Sequence, residues 1–396
     1  IERGEGAVVW DDEGRRYLDS TAGLWYCNVG YGREEIVEAA AQQMRKLHAY
    51  SNFGDYTTRA TNELAERVAS IAPTAGSVVF FASNGSDAVD SAAKLVHAYW
   101  REVGQPRRTT VIVREHAYHG MHLGGTGFAG IEANRAGYEG MVTGVVRVAW
   151  DSPEALAEAI DSAGKETVGA FFCEPVIGAG GVRPAPDGYL AAVRQICRER
   201  GVLYVSDEVI TGFGRTGAWF ASNRFDLEPD LLLCAKGITS GYLPMGAVLA
   251  SPAVAEPFWH ADHPVMWRHG YTYSGHATVA AAALANLAII EREGLIERAL
   301  ELEVSLADAL APLAKHPLVS EVRSGVGVLA AVQIDPAAQA ADAALTGRVL
   351  TELRRAGVLG RLLAGGALQI SPALVISDEQ VDELAGALTT ALDACS

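Results

Sequence analysis

Five short runs of consecutive apolar residues punctuate the chain: Val78 to Ala82 (VVFFA), Thr110 to Val113 (TVIV), Val168 to Cys173 (VGAFFC), Val202 to Ser206 (VLYVS) and Leu231 to Ala235 (LLLCA). They do not alternate with polar residues, so they predict strands covered on both faces. Helical patterns lie between them. Ser152 and Pro153 open PEALAEAI with a side-chain N-cap and a proline at the first helical position. Crossover helices imply a mostly parallel sheet, so the pattern predicts an α/β fold with helices on both faces. Thr278 to Ile290 (TVAAAALANLAII) is the longest apolar stretch. It falls short of the roughly 20 residues a bilayer span needs and reads as a buried helix. Near the end, Ser377-Asp378-Glu379-Gln380 makes a capping box before an apolar ladder at Val381, Leu384, Leu388 and Leu392. The last hundred residues read as a smaller α+β lobe.

Composition narrows the function classes. The 396 residues are 49% hydrophobic and 20% charged, enough apolar material for a sizeable core and two or three domains. Against 32 Lys+Arg stand 48 Asp+Glu, a net charge of -16 that repels phosphate backbones and anionic lipids. Neither nucleic acid nor a membrane is expected as a partner. The five cysteines are an odd number without C-x-x-C or Cys/His spacing, which argues against a disulfide framework and a zinc site. The cytoplasm is the expected compartment, although a chain that starts at Ile1 leaves a preceding targeting segment open.

In open α/β sheets ligands bind beyond the carboxyl ends of the strands, so the residues after each run are the informative ones. Ser83-Asn84-Gly85-Ser86-Asp87 follows the first run and leads into a helix, offering free N–H groups to a phosphate or merely a side-chain cap. Arg114-Glu115-His116-Ala117-Tyr118-His119 follows the second, where a tyrosine ring could stack on a planar ligand. The histidines lack companion carboxylates at metal-ligand spacing, so no metal is expected. Asp207 follows the fourth run, and a carboxylate there needs a cationic partner, either a protonated ring nitrogen or an arginine. Lys236 follows the fifth, between an apolar strand and a glycine-rich loop. A desolvated lysine there is a usable nucleophile and base, a snorkelling one is inert. Two G-x-G-x-x-G matches, at Gly125 to Gly130 and Gly212 to Gly217, lack the strand–turn–helix context of a dinucleotide site. Phosphate cradle, stacking ring, buried carboxylate and desolvated lysine, in that order, suit one cofactor, pyridoxal phosphate.

These residues make the chain resemble the class III aminotransferases, fold type I pyridoxal-phosphate enzymes, and among them the ω-transaminases that pair amines with pyruvate. The most specific segments are SDEVITGFGRTGAWFAS and CAKGITSGYLPMGAV. The resemblance implies a seven-stranded-type central sheet, a segment 1–30 packing with the small domain, a large cofactor-binding domain over 31–290 and a small domain over 291–396. It implies that Lys236 forms the Schiff base, that Asp207 holds the pyridinium proton, and that Val209 and Tyr118 cover the two ring faces. Gly85 and Ser86 would bind the phosphate, with Glu174 near the cofactor. Thr272 in YTYSGHA would reach the phosphate of a neighbouring subunit, which makes the active unit a homodimer. Trp25 looks like the pocket tryptophan of amine-accepting members, and Arg361 like the mobile arginine that clamps a carboxylate. Phe53, Tyr56 and His119 would complete the substrate pocket. The implied reaction is a ping-pong transamination. Its alternatives are other chemistry on the same fold, such as a 4-aminobutyrate, ornithine or diamine aminotransferase or a mutase, and a non-catalytic binding protein.

Overall fold

The computed structural model describes residues 1–396. Its centre is a seven-stranded sheet in the order Val78–Ala82, Gly246–Ala250, Leu231–Ala235, Leu203–Asp207, Val168–Cys173, Thr110–Arg114, Val145–Val148. All five apolar runs are strands of it. Six strands point the same way; Gly246–Ala250 runs antiparallel to both its neighbours. The reason is the connection before it: residues 236–245 hold only a short 3-10 turn, too little chain for a crossover helix, so the strand must double back.

Strand side chains divide between two covered faces. Val111, Val113 and Phe172 pack under the helix Gly85–Glu102, through Leu95 and Val96. Ile112 and Phe171 face the other way, onto Leu156 and Ile160 of Pro153–Ala163 and Val193 of Tyr189–Arg200. This double burial is why the runs are continuous in sequence. Ser152 caps its helix by accepting from the Ala155 N–H, and Ser377 and Gln380 form the reciprocal capping box before Asp378–Asp393. The apolar stretch near residue 280 is the helix Ala277–Arg292, packed against Glu34–Leu47 and Arg59–Ile71. No helix is long and apolar enough to cross a membrane.

Two smaller sheets flank this centre. One is antiparallel: Val319–Arg323, Ala330–Ile334, Ala367–Ile370 and Leu362–Leu363. The other joins the two ends of the chain, because Arg16–Asp19 pairs in parallel with Val358–Leu359. The five cysteines are all free.

Candidate active site

The carboxyl ends of four strands and the helix Gly85–Glu102 surround a cavity of about 550 Å³ whose walls include Gly85, Ser86, Tyr118, Glu174, Asp207, Val209 and Lys236. The turn into the helix provides the side-chain cap anticipated for it and brings Gly85 and Ser86 to the cavity wall. Asn84 caps the helix, its Oδ1 accepting from the Asp87 N–H at 2.9 Å. The N–H groups of the first turn have no intrahelical partner and carry the positive end of the helix dipole. Gly85 lies close to Val209: a Cβ there would stand 3.1 and 3.2 Å from its two methyls, so they would have to shift. Gly120 is more tightly constrained, with φ +93 and a would-be Cβ 2.5 Å from Ser86 Oγ.

The carboxylates of Asp207 and Glu208 have opposite fates. Glu208 is fully buried and accepts from the Ser222 N–H (2.8 Å), the Thr211 hydroxyl (2.9 Å) and the Ala221 N–H, so it caps the short helix Ala221–Arg224. Asp207 lines the cavity, 4% exposed, and accepts from the Val209 N–H at 3.2 Å. Its other oxygen meets His119 Nδ1 at 2.7 Å. The partner available to Asp207 within the chain is therefore this imidazole; no arginine approaches it. His119 lines the same cavity, 1% exposed, with its Nδ1 engaged by Asp207 and its ring edge-on to Phe172, so it supports the carboxylate from the cavity wall. His122 is engaged elsewhere, on Asp87 Oδ1 at 2.9 Å.

Glu174 is buried and ties two loops together, accepting from the Tyr118 N–H at 2.8 Å and the Gly178 N–H at 3.0 Å. Burial raises its carboxyl above the usual range, and the Asp207 charge adds to this. Tyr118 is thereby held at the cavity wall through its own backbone.

Lys236 ends the strand Leu231–Ala235 in a left-handed conformation, φ 46, which a side chain rarely adopts. The turn after it is fixed from below. Asn286 of the buried helix donates to the carbonyls of Gly237 (2.8 Å) and Ile238 (3.0 Å). No carboxylate comes within ion-pairing distance of the amine. Burial pushes the Lys236 amine down to about 8, against the opposing pull of Asp207 and Glu174 and with a push from Arg361.

A second cavity of about 520 Å³ opens from Lys236 and Tyr118, walled by Leu24, Trp25, Met121, Ile131, Leu362 and Leu363, with Arg361 at its side. Trp25 is 3% exposed and donates from Nε1 to Ser371 Oγ at 3.1 Å. The Lys236 amine lies 5.6 Å and the Arg361 guanidinium carbon 5.2 Å from its ring centre. Arg361 has no carboxylate partner in the chain, and burial lowers its affinity for its proton. Phe53 and Tyr56 are not brought here; they are exposed, Phe53 against Gly270 and Tyr56 edge-on to Tyr50. Thr272 is also exposed and away from both cavities. Sequence reasoning missed Tyr26 and Ile210, which line the first cavity.

The two G-x-G-x-x-G segments are packing glycines. A Cβ at Gly125 or Gly130 would lie 2.3 Å from the carbonyl oxygen of His119 or Arg114. Beside Gly214, Arg215 is wholly buried and donates to Asn28 Oδ1 at 2.6 Å.

The class III aminotransferase family model matches residues 1–392. A putrescine–pyruvate aminotransferase of Pseudomonas aeruginosa is 39% identical, over 97% of this chain and 88% of that protein. Among solved structures, a transaminase from the marine bacterium Virgibacillus superposes with a TM-score of 0.94 at 37% identity, covering all of this chain and 92% of the other. An amine transaminase from an uncultivated Pseudomonas species, in its PLP-bound form, gives 0.93 at 35%, covering all of this chain and 95% of the other.

Proposed function

This chain belongs to the class III aminotransferases, enzymes that work with pyridoxal phosphate, and we propose that it moves an amino group from an amine or ω-amino acid to an α-keto acid such as pyruvate. The observation that carries the reading is the convergence of an unpaired, low-pKa lysine, a buried carboxylate and a helix N-terminus on one cavity.

The residues present suit a phosphorylated pyridine aldehyde. Gly85 and Ser86 offer the phosphate their N–H groups, and the space a Cβ at 85 would fill leaves Val209 free to lie on one ring face, with Tyr118 on the other. Asp207 would hold a proton on the ring nitrogen, and His119 behind it keeps that carboxylate oriented. When bound, the cofactor supplies an aldehyde for the amine and a ring that draws electrons from the donor's Cα–H bond. Lys236 Nζ would hold the aldehyde at rest, then take the proton from the donor carbon and return it on the cofactor side. A pKa near 8 suits both transfers at neutral pH. Trp25, Leu24 and Met121 would receive the apolar part of an amine. Arg361, free of any internal carboxylate, would take the carboxylate of the keto acid.

The same reading makes the active unit a homodimer in which Thr272 serves the partner's phosphate. Support comes from its exposure outside its own cavities and from an apolar groove lined by Val37, Met44, Tyr242, Leu243 and Tyr273 that runs up to the cavity wall. The purified protein should convert an amine and pyruvate to the carbonyl product and alanine in equal amounts. Borohydride should fix a pyridoxyl group on Lys236, read by peptide mapping. A tag on another lysine, or none, defeats the proposal.

A further inference from the structure

The loop that presents Leu24 and Trp25 to the second cavity is strained. Ala22 has φ 46, Gly23 φ 68 and Trp25 φ 64, three left-handed residues within four positions, two of which carry side chains. Such conformations persist only where the surroundings over-determine them. What surrounds this loop is Asp19, a carboxylate 5% exposed with no cation in ion-pairing range. Its Oδ1 accepts from the Thr21 N–H (2.9 Å) and the Thr21 hydroxyl (2.7 Å). Its Oδ2 accepts from the Gly23 N–H (2.7 Å) and the Tyr31 hydroxyl (2.7 Å).

A buried carboxylate without a counter-ion is tolerated only while its lone pairs are filled. Three of the four donors belong to groups of the loop itself. Relaxing the loop to ordinary backbone angles would strip Asp19 of them, so carboxylate and strained turn specify each other. The clamp is anchored at its base, where Asp19 pairs with Leu359 in the parallel ladder and Ser20 accepts from the Ser371 N–H at 2.7 Å. Ser371 is also the residue that receives the Trp25 indole N–H.

We propose that Asp19 is a positioning residue for substrate choice: by holding the turn Thr21 to Trp25 left-handed, it fixes how far Trp25 and Leu24 reach into the amine pocket and so limits the bulk of donor accepted. This rests on the proposed transamination, with the second cavity as the amine pocket. The experiment compares holoenzyme variants Asp19→Asn, Tyr31→Phe and Thr21→Val using a linear primary amine and an amine bearing an aryl group on the reacting carbon, each with pyruvate. The ratio of kcat/KM for the bulky donor to that for the small one should rise about 3- to 10-fold in Tyr31→Phe, which removes one hydrogen bond, and in Thr21→Val, which removes the hydroxyl's contacts with Asp19 and with the Gly23 carbonyl, and further in Asp19→Asn. The cofactor absorbance should stay as in the parent. An unchanged ratio, or equal loss for both donors, overturns the proposal, because a merely structural Asp19 would depress both alike. Should Asp19→Asn not fold, Tyr31→Phe and Thr21→Val decide by the same criterion. Donor binding, followed by displacement of the cofactor absorbance, gives the ratio without turnover. Inactivity with pyruvate would thus count against the reaction while the role of Asp19 is still read from binding.

Discussion

The lowered pKa of Lys236 can be measured one residue at a time. At about 8 the amine is about one-tenth unprotonated at pH 7, against roughly one part in 2500 for an ordinary lysine near 10.4, a gain of about 230-fold in nucleophile. Trace acetylation of the cofactor-free protein across pH 6 to 12, quantified on the Lys236 peptide by mass spectrometry, should give a midpoint near 8. The same peptide in the unfolded chain should titrate near 10.4. Two substitutions test the cause. Asp207→Asn removes a negative neighbour and should move the midpoint lower still, whereas Arg361→Ala removes a positive one and should move it up. Burial is the largest cause, so neither change should restore the ordinary value. Coincident curves for folded and unfolded protein would refute the reasoning.

Three further outcomes are expected. Arg361→Ala should raise KM for pyruvate about 10- to 100-fold, the worth of a charged hydrogen-bonded contact, with little change in KM for an uncharged-tail amine; equal effects on both would count against the carboxylate role. Asp207→Asn should cut kcat at least about 100-fold with the fold intact by circular dichroism, and turnover near that of the parent would contradict its role on the ring nitrogen. Burial, with Lys94 Nζ 2.9 Å from its Nδ1, pushes His269 down to about 4. The unfolded value is about 6.5, so stability is complete above that pH and drains away as pH falls toward 4. Tm measured between pH 7 and 4 should therefore drop less in His269→Gln than in the parent.

What the sequence made legible followed from burial. Strands covered on both faces leave uninterrupted apolar runs, and three of the five runs have the same limits in sequence and structure. Gly246–Ala250 opens on Gly and Ala and Val145–Val148 is broken by Arg147, so neither stood out. Lys236, Asp207 and the Gly85 turn were legible because the ends of parallel strands converge. The bond between His119 and Asp207 was not legible, because the two lie 88 residues apart and leave no local trace. Asp19 carried no signal in the sequence pattern. Only the Thr-Ala-Gly after it hinted at a side-chain-closed turn, since short polar side chains readily bond the backbone two residues on.

The ladder between Arg16–Asp19 and Val358–Leu359 has a consequence for biosynthesis. A ribosome releases the phosphate cradle and the lysine strand long before it releases Arg361, Ser371 or the partner strand of Asp19. The apolar core beneath the lysine strand must wait as well, because Cys234 and Ile238 pack in one cluster with Leu368, Leu374 and Leu388 from the end of the chain. A chain stopped after residue 350 would accordingly lack part of the core under the lysine strand as well as Arg361 and the strand that pairs with Asp19.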